Sequence, residues 1–443
     1  MVKVCQTYEV QWDGQITLAA LTQRLHDGGH GREALAAILE HRDRELVSEL
    51  CGPRNHPHSA GRYRRASTRQ RILITRFGRL EVATTRVRDS REGRTFVPLW
   101  EEVLIEQQRQ YQLDLIWLAI HLVERCTYRN ARDELQRCTG AAPSAMTLNR
   151  RVIELGATLL EQVHQRSLRA VAHEGDGTKV HSQRRGGPGL RHHEVRLVVT
   201  LPRRGRPKVR SLTVGPSWQV HRPMLERTIC RDARGQPLVP AAVVDLERGL
   251  HEALTPGGGP WQACHVHAIK AVGYALWKDG LTKGEDKRRI MRKVASLLAH
   301  LRSSVLLHLP KGERVAIEHR IEETTMRLKQ LSTELVNKGL LRASSTVWDI
   351  SVAVTTFATL ALEGITIPWH TNLIERLMGA IAARFKHRWM SWTTAGAQAL
   401  LILLVMRTLE PKEHRRWWDR QLFAGRETLP NLGVTLTTRA VES

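Results

Sequence analysis

The sequence has few cysteines and no closely spaced pair of them. Its 443 residues contain 6 cysteines, spread along the chain as Cys5, Cys51, Cys126, Cys138, Cys230 and Cys264. So thin a spread does not favour a disulfide framework, and a structural zinc site needs four well-spaced ligands. Cys51, His56 and His58 supply part of a zinc site, but no C-x-x-C pair completes it, so a polar loop is the favoured interpretation. The pattern is typical of free thiols in a reducing compartment.

The sequence also lacks a long hydrophobic run. The longest apolar stretch, residues 399–406, is followed by Arg407 and is too short to cross a bilayer. The N-terminal sequence MVKVCQTYEVQWDGQ has no apolar segment typical of a signal peptide. We therefore expect a soluble, cytoplasmic protein with no membrane partner.

Acidic residues are scarce relative to basic ones. The chain has 68 Lys and Arg against 44 Asp and Glu, a formal net charge of +24. Such an excess repels itself in the folded state unless a polyanion binds. Nucleic acid is the commonest such partner, because each Lys or Arg that faces a phosphate releases condensed counterions. The charge therefore favours a protein that binds nucleic acid.

Residues 1–99 predict an N-terminal DNA-binding region of helices followed by a β-meander. Leucines and isoleucines recur at helical spacing over residues 17–50, and Gly52 and Pro53 end that pattern. Residues 70–98 then alternate between apolar and polar side chains, as short strands do.

Residues 100–167 predict a helical region that contains a helix-turn-helix. A first helix ends at Gly140, and Ser144 can cap a second, basic helix. The second helix carries Arg150 and Arg151, which we expect to be exposed and to contact DNA.

Residues 168–278 predict an α/β region. Candidate strands lie at 169–175, 194–201, 209–214, 241–244 and 262–266, with helices near 222–231, 246–254 and 267–277. Three strands followed by helix, strand, helix and strand is the order of an RNase-H-like core. The loop between the first two strands carries Arg184 and Arg185, which we expect to contact the DNA backbone.

The remaining residues predict an interrupted core. Residues 279–365 read as an all-helical insertion, 366–410 as the last part of the core with one acidic helix, and 411–443 as a polar C-terminal tail. The predicted fold is thus multi-domain α+β: N-terminal helices, a meander and a helix-turn-helix, then the RNase-H-like core with its insertion.

Three carboxylates are candidates for catalysis. Asp176 ends the first candidate strand and Asp245 the fourth, and these two strands are neighbours in the RNase-H-like order. Adjacent carboxylates repel, and binding a divalent cation through hard oxygen ligands relieves the repulsion. Glu375 lies on a helix that can bring a third carboxylate to the same point. Three carboxylates around two Mg²⁺ or Mn²⁺ ions, roughly 3.5–4 Å apart, serve in-line attack at phosphodiesters.

Three sequence blocks resemble those of bacterial Mutator-type insertion-sequence transposases. The string DLERGLHEALTPGGGPWQACHVHAIKAV is similar to the family's second-Asp block, with its C-x-x-H at Cys264 and His267 and a basic residue at Lys270. The string TNLIERLMGAIAARFKHRWMSW is similar to the third, Glu-containing block, and the DGT at Asp176 to the first. The chain departs from the family pattern at Leu246, usually Gly, and at Ala271, usually Asn.

The resemblance implies a DNA transposase. Such an enzyme binds double-stranded DNA at the ends of its element and hydrolyses phosphodiesters there. It then joins the freed 3′-hydroxyls to double-stranded target DNA, using Asp176, Asp245 and Glu375 as metal ligands. It also implies a homo-oligomer, a dimer or larger, because two ends must be held together, and a place at the bacterial nucleoid. An RNase-H-fold nuclease without strand transfer and a transposase-derived DNA-binding protein stay open as alternatives.

Further side chains are expected to support this chemistry. His267 either hydrogen-bonds a carboxylate or the scissile phosphate beside the metals, or is a satisfied core histidine, and Cys264 lies next to it or simply packs. Basic residues around the acidic helix are predicted to contact DNA phosphates: Lys270, Arg376, Arg384 and Arg388. Trp389 and Trp392 stack an unpaired base in one interpretation and belong to the core in the favoured one.

Overall fold

Helices and several separate β-sheets make up the chain, so the mixed α+β class is confirmed. The computed structural model describes residues 3–12, 15–28, 30–52, 61–106, 108–182, 192–215, 217–231, 237–247, 249–282, 284–386, 390–423 and 432–441. Residues 1–154 together with 411–443 form one compact unit, and residues 155–410 form another. His56, His58, Arg184, Arg185, Arg388 and Trp389 lie outside the described residues.

The N-terminal part of the chain combines helices with a β-meander. Its elements are β1 (Lys3–Trp12), β2 (Ile16–Thr17), α1 (Leu18–Asp27), α2 (Arg32–Cys51), β3 (Tyr63–Thr75), β4 (Gly78–Asp89), β5 (Thr95–Phe96), α3 (Pro98–Glu102), β6 (Val103–Leu104), α4 (Leu113–Val123), α5 (Tyr128–Thr139) and α6 (Ala145–Gln165).

The predicted β-meander is present as the antiparallel sheet β3-β4-β5. Helix α2 packs on it, and Leu35, Ile38 and Leu39 are buried there, as their helical spacing predicts. Asp43 ties the two together, because its carboxylate accepts a hydrogen bond from the Thr85 N–H at 3.0 Å.

The predicted helix, turn and helix are confirmed as α5, Gly140 and α6. Gly140 adopts a left-handed conformation with φ of 70°, which ends α5. The Ser144 hydroxyl accepts a hydrogen bond from the Thr147 N–H at 3.1 Å and so caps α6. The expected exposure of Arg151 is wrong, because this side chain is buried.

The α/β region has fewer helical residues than predicted. Its elements are β7 (Leu168–Arg169), β8 (Ala172–His181), β9 (His192–Leu201), β10 (Lys208–Val214), α7 (Arg222–Leu225), β11 (Thr228–Arg231), β12 (Pro237–Leu238), β13 (Ala241–Val244), α8 (Leu250–Leu254), β14 (Trp261–Ala263) and α9 (His265–Lys278). The helix expected over 222–231 is only one turn, because residues 228–231 pair with β7 and β12 instead.

Five of these strands form one sheet in the order β10-β9-β8-β13-β14. Strand β9 is antiparallel to β8 and β10, whereas β13 is parallel to β8 and β14. Strand β8, the first of these five along the chain, thus lies beside β13, the fourth, as predicted. The expected end of the first strand is wrong, because pairing with β9 extends β8 through Asp176 to His181.

The two faces of this sheet carry different helices. Leu250 and Leu254 of α8 pack with Val198, Ala242 and Val244 on one face. The opposite face receives the helix α14 described below, which packs on β8.

The rest of the chain is helical up to its last strand. Its elements are α10 (Glu285–His308), α11 (Arg314–Asn337), α12 (Leu341–Ala353), α13 (Thr356–Leu362), α14 (Asn372–Phe385), α15 (Thr394–Leu409), α16 (Pro411–Leu422) and β15 (Leu432–Val441). The segment Leu341–Leu362 is long and apolar enough to cross a membrane, but more than half of its most apolar stretch is buried inside the protein, as in a core helix.

The helical insertion shares its core with the α/β region. Leu298 of α10, Leu331 of α11 and Val347 of α12 belong to the same hydrophobic cluster as Val272 and Leu276 of α9. The insertion therefore covers an apolar face of α9, and its removal would expose that face.

The predicted polar tail is wrong. Trp417 and Trp418 of α16 are 1% and 2% exposed, and β15 pairs antiparallel with β1, Lys3 opposite Val441. A local pattern cannot predict pairing between segments so far apart in the chain, which is why the sequence suggested a tail.

Candidate active site

Strand pairing brings the two candidate aspartates to one place. Glu174 of β8 is paired with Val243 of β13, and Asp176 and Asp245 each lie two residues further along. Successive strand residues point to opposite faces, so Glu174, Asp176 and Asp245 share the face away from α8. Asp176 accepts a hydrogen bond from its neighbour Gly177 N–H at 2.7 Å, and Asp245 accepts one from Glu247 N–H at 2.9 Å.

The surroundings of the Asp176 carboxyl disfavour its ionised form. Burial, the largest cause, and the negative charges of Asp245 and Glu247 together raise its pKa to about 6, although the Gly177 hydrogen bond and His267 act in the opposite direction. The two aspartates are therefore close enough to repel each other. A divalent cation between them would remove that repulsion.

Helix α14 brings Glu375 to the same face of the sheet. Glu375 lies in the first turn of this helix, and its Oε1 accepts a hydrogen bond from the Thr371 hydroxyl at 2.9 Å. The same oxygen is 3.7 Å from His267 Nδ1. The Glu375 side chain is 38% exposed, so it stays accessible to an ion or a substrate.

His267 interacts electrostatically with all three candidate carboxylates, Asp176, Asp245 and Glu375. A hydrogen bond with Cys264 raises its pKa, burial opposes this, and the negative charges of Cys264, Asp245 and Glu375 raise it further. Its positive charge in turn lowers the pKa of Asp176. The imidazole thus stands among the candidate catalytic carboxylates with its ring 29% exposed, and is not sealed in the core.

Cys264 is buried beside His267 at the start of α9. Burial alone would raise the pKa of its thiol, but hydrogen bonds with His267 and Thr371 outweigh burial and lower the pKa to about 7. Ligand atoms of Cys264, His267 and Glu375 all lie within 4.8 Å of one another. Within the described ranges, Asp176 and Asp245 are not part of a cluster that tight.

Sequence reasoning missed Glu174. This carboxyl is 1% exposed, and its Oε2 accepts a hydrogen bond from the Ile374 N–H of α14 at 3.1 Å. Burial, the largest cause, and the negative charges of Cys264 and Glu375 together raise its pKa to about 8, although the Ile374 hydrogen bond and Arg376 act in the opposite direction. The strand alternation in HEGDG places Glu174 on the same face as Asp176, and that signal was available in the sequence.

The predicted basic residues divide into exposed and buried ones. Arg150, Lys270 and Arg376 are exposed, as a phosphate contact requires. Arg151 is instead held between Glu106, at 2.6 Å, and Glu154, at 3.2 Å. A buried, ion-paired guanidinium is not available to DNA, so the predicted DNA contact of Arg151 is wrong.

The predicted phosphate contact of Arg384 is also wrong. This guanidinium is 5% exposed and lies over the Phe385 and Trp392 rings, 5.7 and 5.3 Å from their centroids. Trp392 itself is 6% exposed, which fits the interpretation that it belongs to the core.

A cavity of about 500 Å³ opens beside Asp245. Leu246, Ala271 and the stacked rings of His251 and Trp261 line it. The two positions that depart from the family pattern thus lie next to the candidate site. Neither of them replaces a carboxylate.

Comparison with models of known protein families gives no match, and comparison with curated proteins gives none either. The functional proposal therefore depends on the residues of the site and their geometry.

Proposed function

We propose that the protein is a metal-dependent DNA transposase with Asp176, Asp245 and Glu375 as its metal-binding carboxylates. The observation that carries the proposal is their convergence: two aspartates on adjacent parallel strands and a glutamate from the helix packed on the first strand, all interacting with His267. The net charge of +24 supports DNA as the substrate.

The sheet topology supports an RNase-H-like catalytic core. In chain order, its five strands are arranged 3-2-1-4-5, with the second antiparallel to the others. The helices α10–α13 are inserted between the fifth strand with its helix and the helix that carries Glu375. This arrangement agrees with the one that the transposase resemblance implies.

The three carboxylates fit magnesium or manganese. Their oxygens are the hard ligands that these ions prefer, and the mutual repulsion of Asp176 and Asp245 is what a bound cation relieves. Two bound ions would polarise the scissile phosphate and lower the pKa of the attacking water or 3′-hydroxyl.

Other residues of the protein position the three carboxylates and offset part of their negative charge. His267 carries a proton more readily than a free imidazole and so offsets part of the negative charge of the carboxylates. Glu174 anchors the start of α14 to β8 and so fixes where Glu375 stands relative to Asp176. Arg150, Lys270 and Arg376 are exposed for contacts with the DNA backbone.

We further infer that the protein acts as a homo-oligomer at the nucleoid in the cytoplasm, since transposition requires two ends in one complex. The test uses the purified full chain, the DNA that flanks its gene and Mg²⁺ or Mn²⁺. We expect metal-dependent release of 3′-hydroxyl ends and their joining to a target duplex. Cleavage without joining would identify a nuclease, and binding without cleavage would identify a DNA-binding protein; either result rejects the proposal.

A further inference from the structure

We propose that Cys264, His267 and Glu375 form a binding site for one borderline-soft divalent cation of the zinc class. One ligand atom from each residue lies within 4.8 Å of the other two. This set of a thiol, an imidazole and a carboxylate differs from the all-oxygen set of the proposed catalytic ions. Sulfur and imidazole nitrogen select Zn²⁺ or Co²⁺ over Mg²⁺.

The spacing of the ligand atoms is close to what one zinc ion requires. Two ligands about 2.0–2.3 Å from a tetrahedral Zn²⁺ stand roughly 3.3–3.8 Å apart. His267 Nδ1 and Glu375 Oε1 are already 3.7 Å apart. Since no pair in the cluster exceeds 4.8 Å, side-chain adjustments of about 1 Å would complete the geometry.

Two helix starts hold these ligands in place. Cys264 precedes the first residue of α9 and His267 lies in its first turn, so both side chains project from the same end of that helix. Glu375 comes from the first turn of α14. The backbone N–H of Cys264 is bound to Val244 O at 2.8 Å, which fixes the start of α9 to the end of β13.

The Thr371 hydroxyl is hydrogen-bonded to all three ligand residues and so holds their ligand groups close together. It is 2.9 Å from Glu375 Oε1 and 3.5 Å from His267 Nδ1, and it is also hydrogen-bonded to Cys264. Cys264 is fully buried, whereas the His267 and Glu375 side chains are 29% and 38% exposed. An ion can therefore enter from the exposed side and keep one position open there, as three-ligand zinc sites do.

Glu375 belongs both to this zinc site and to the proposed magnesium site, so zinc binding should affect DNA cleavage. Only this effect on activity rests on the proposed function. A zinc ion at this site takes Glu375 from the proposed magnesium set. We expect micromolar Zn²⁺ to inhibit Mg²⁺-dependent DNA cleavage, and Cys264→Ser to weaken that inhibition at least tenfold.

The binding itself is tested without DNA. The purified full chain is titrated with Co²⁺, whose bond to a thiolate produces a sulfur-to-metal charge-transfer absorption. We expect one equivalent to bind with this absorption and Zn²⁺ to displace it. Cys264→Ser should abolish the absorption and His267→Ala should weaken binding at least tenfold. Cys230→Ser, which changes another buried free thiol of the same unit, should leave both unchanged.

Absence of the thiolate absorption in the wild-type chain at saturating Co²⁺ overturns the zinc site, whatever the variants do. Its persistence in Cys264→Ser overturns the assigned ligand. Because these readouts use no DNA, they are independent of the proposed function. If the protein shows the absorption but cleaves no DNA, the zinc site is supported and the transposase proposal is rejected.

Discussion

The buried carboxyl of Glu174 on β8 accepts a hydrogen bond from the Ile374 N–H, 200 positions later in the chain, at 3.1 Å. Asp176 lies two residues after Glu174, and Glu375 directly follows Ile374. One hydrogen bond therefore sets the position of one candidate metal ligand relative to another. An uncapped helix N-terminus leaves such an N–H without an intrahelical partner.

Glu174→Ala is expected to lower the turnover of DNA cleavage about 10–100-fold, with little change in the KM for DNA, because the Glu375 helix loses its anchor. Glu174→Gln keeps a carbonyl acceptor for the Ile374 N–H and should recover at least tenfold of that loss. The measurement is steady-state cleavage by purified variants. Equal activity of the two variants would show that the hydrogen bond does not position the site.

Glu174 should also make stability depend on pH. Its pKa is raised from 4.5 to about 8 in the folded protein, so the folded state binds this proton more tightly than the unfolded chain. The contribution is therefore fully favourable below about pH 4.5 and is lost as the pH rises toward 8. Glu174→Gln should be more stable than wild type at pH 8, by at least about 1 kcal/mol, and match it near pH 4. Urea unfolding at both pH values measures this, and a constant difference would contradict it.

Each candidate metal ligand should be indispensable. Asp176→Asn, Asp245→Asn and Glu375→Gln are expected to reduce cleavage and joining by at least about a thousandfold, because each removes a charged oxygen ligand. DNA binding in a gel-shift assay should stay within about twofold. Glu226→Gln, an exposed carboxylate paired with Arg222, is the matched control and should behave as wild type. Near-normal joining by any of the three variants would remove that residue from the site.

Arg150 and Arg151 are adjacent in sequence but should respond differently to substitution. Arg150→Ala removes an exposed charge, so it should weaken DNA binding and flatten the salt dependence by about one unit of slope. Arg151→Ala removes the nearest cation from Glu106 and leaves only Arg109, at 3.7 Å; burial already raises the pKa of Glu106 to about 7. We expect it to cost about 1–3 kcal/mol of unfolding free energy. Unchanged stability in Arg151→Ala would contradict the buried ion pair.

The protein should not remain soluble and folded without the helical insertion. Replacing residues 283–345 by a short linker would expose Val272 and Leu276 of α9, because it removes Leu298 and Leu331 from their hydrophobic cluster. We therefore expect an insoluble product, because the exposed apolar face of α9 promotes aggregation. Solubility and circular dichroism of the truncated chain measure this, and a soluble, folded product would show that α9 does not need the insertion.

Local signals in the sequence were sufficient for several features. The left-handed Gly140 and the capping Ser144 mark the ends of two helices by chemistry that acts within a few residues. The alternation of apolar residues predicted the meander, and the acidic residues Asp176 and Asp245 identified the edge where the candidate site lies. Each of these depends on interactions between near neighbours in the chain.

Contacts between distant residues decided the rest. Arg151 and Arg384 look like surface cations in sequence, yet Glu106 and the ring of Trp392 hold them in the interior. Glu174 became a member of the site only because α14 packs on β8. The burial of a charge is set by partners brought together by the fold, and no local pattern encodes those partners.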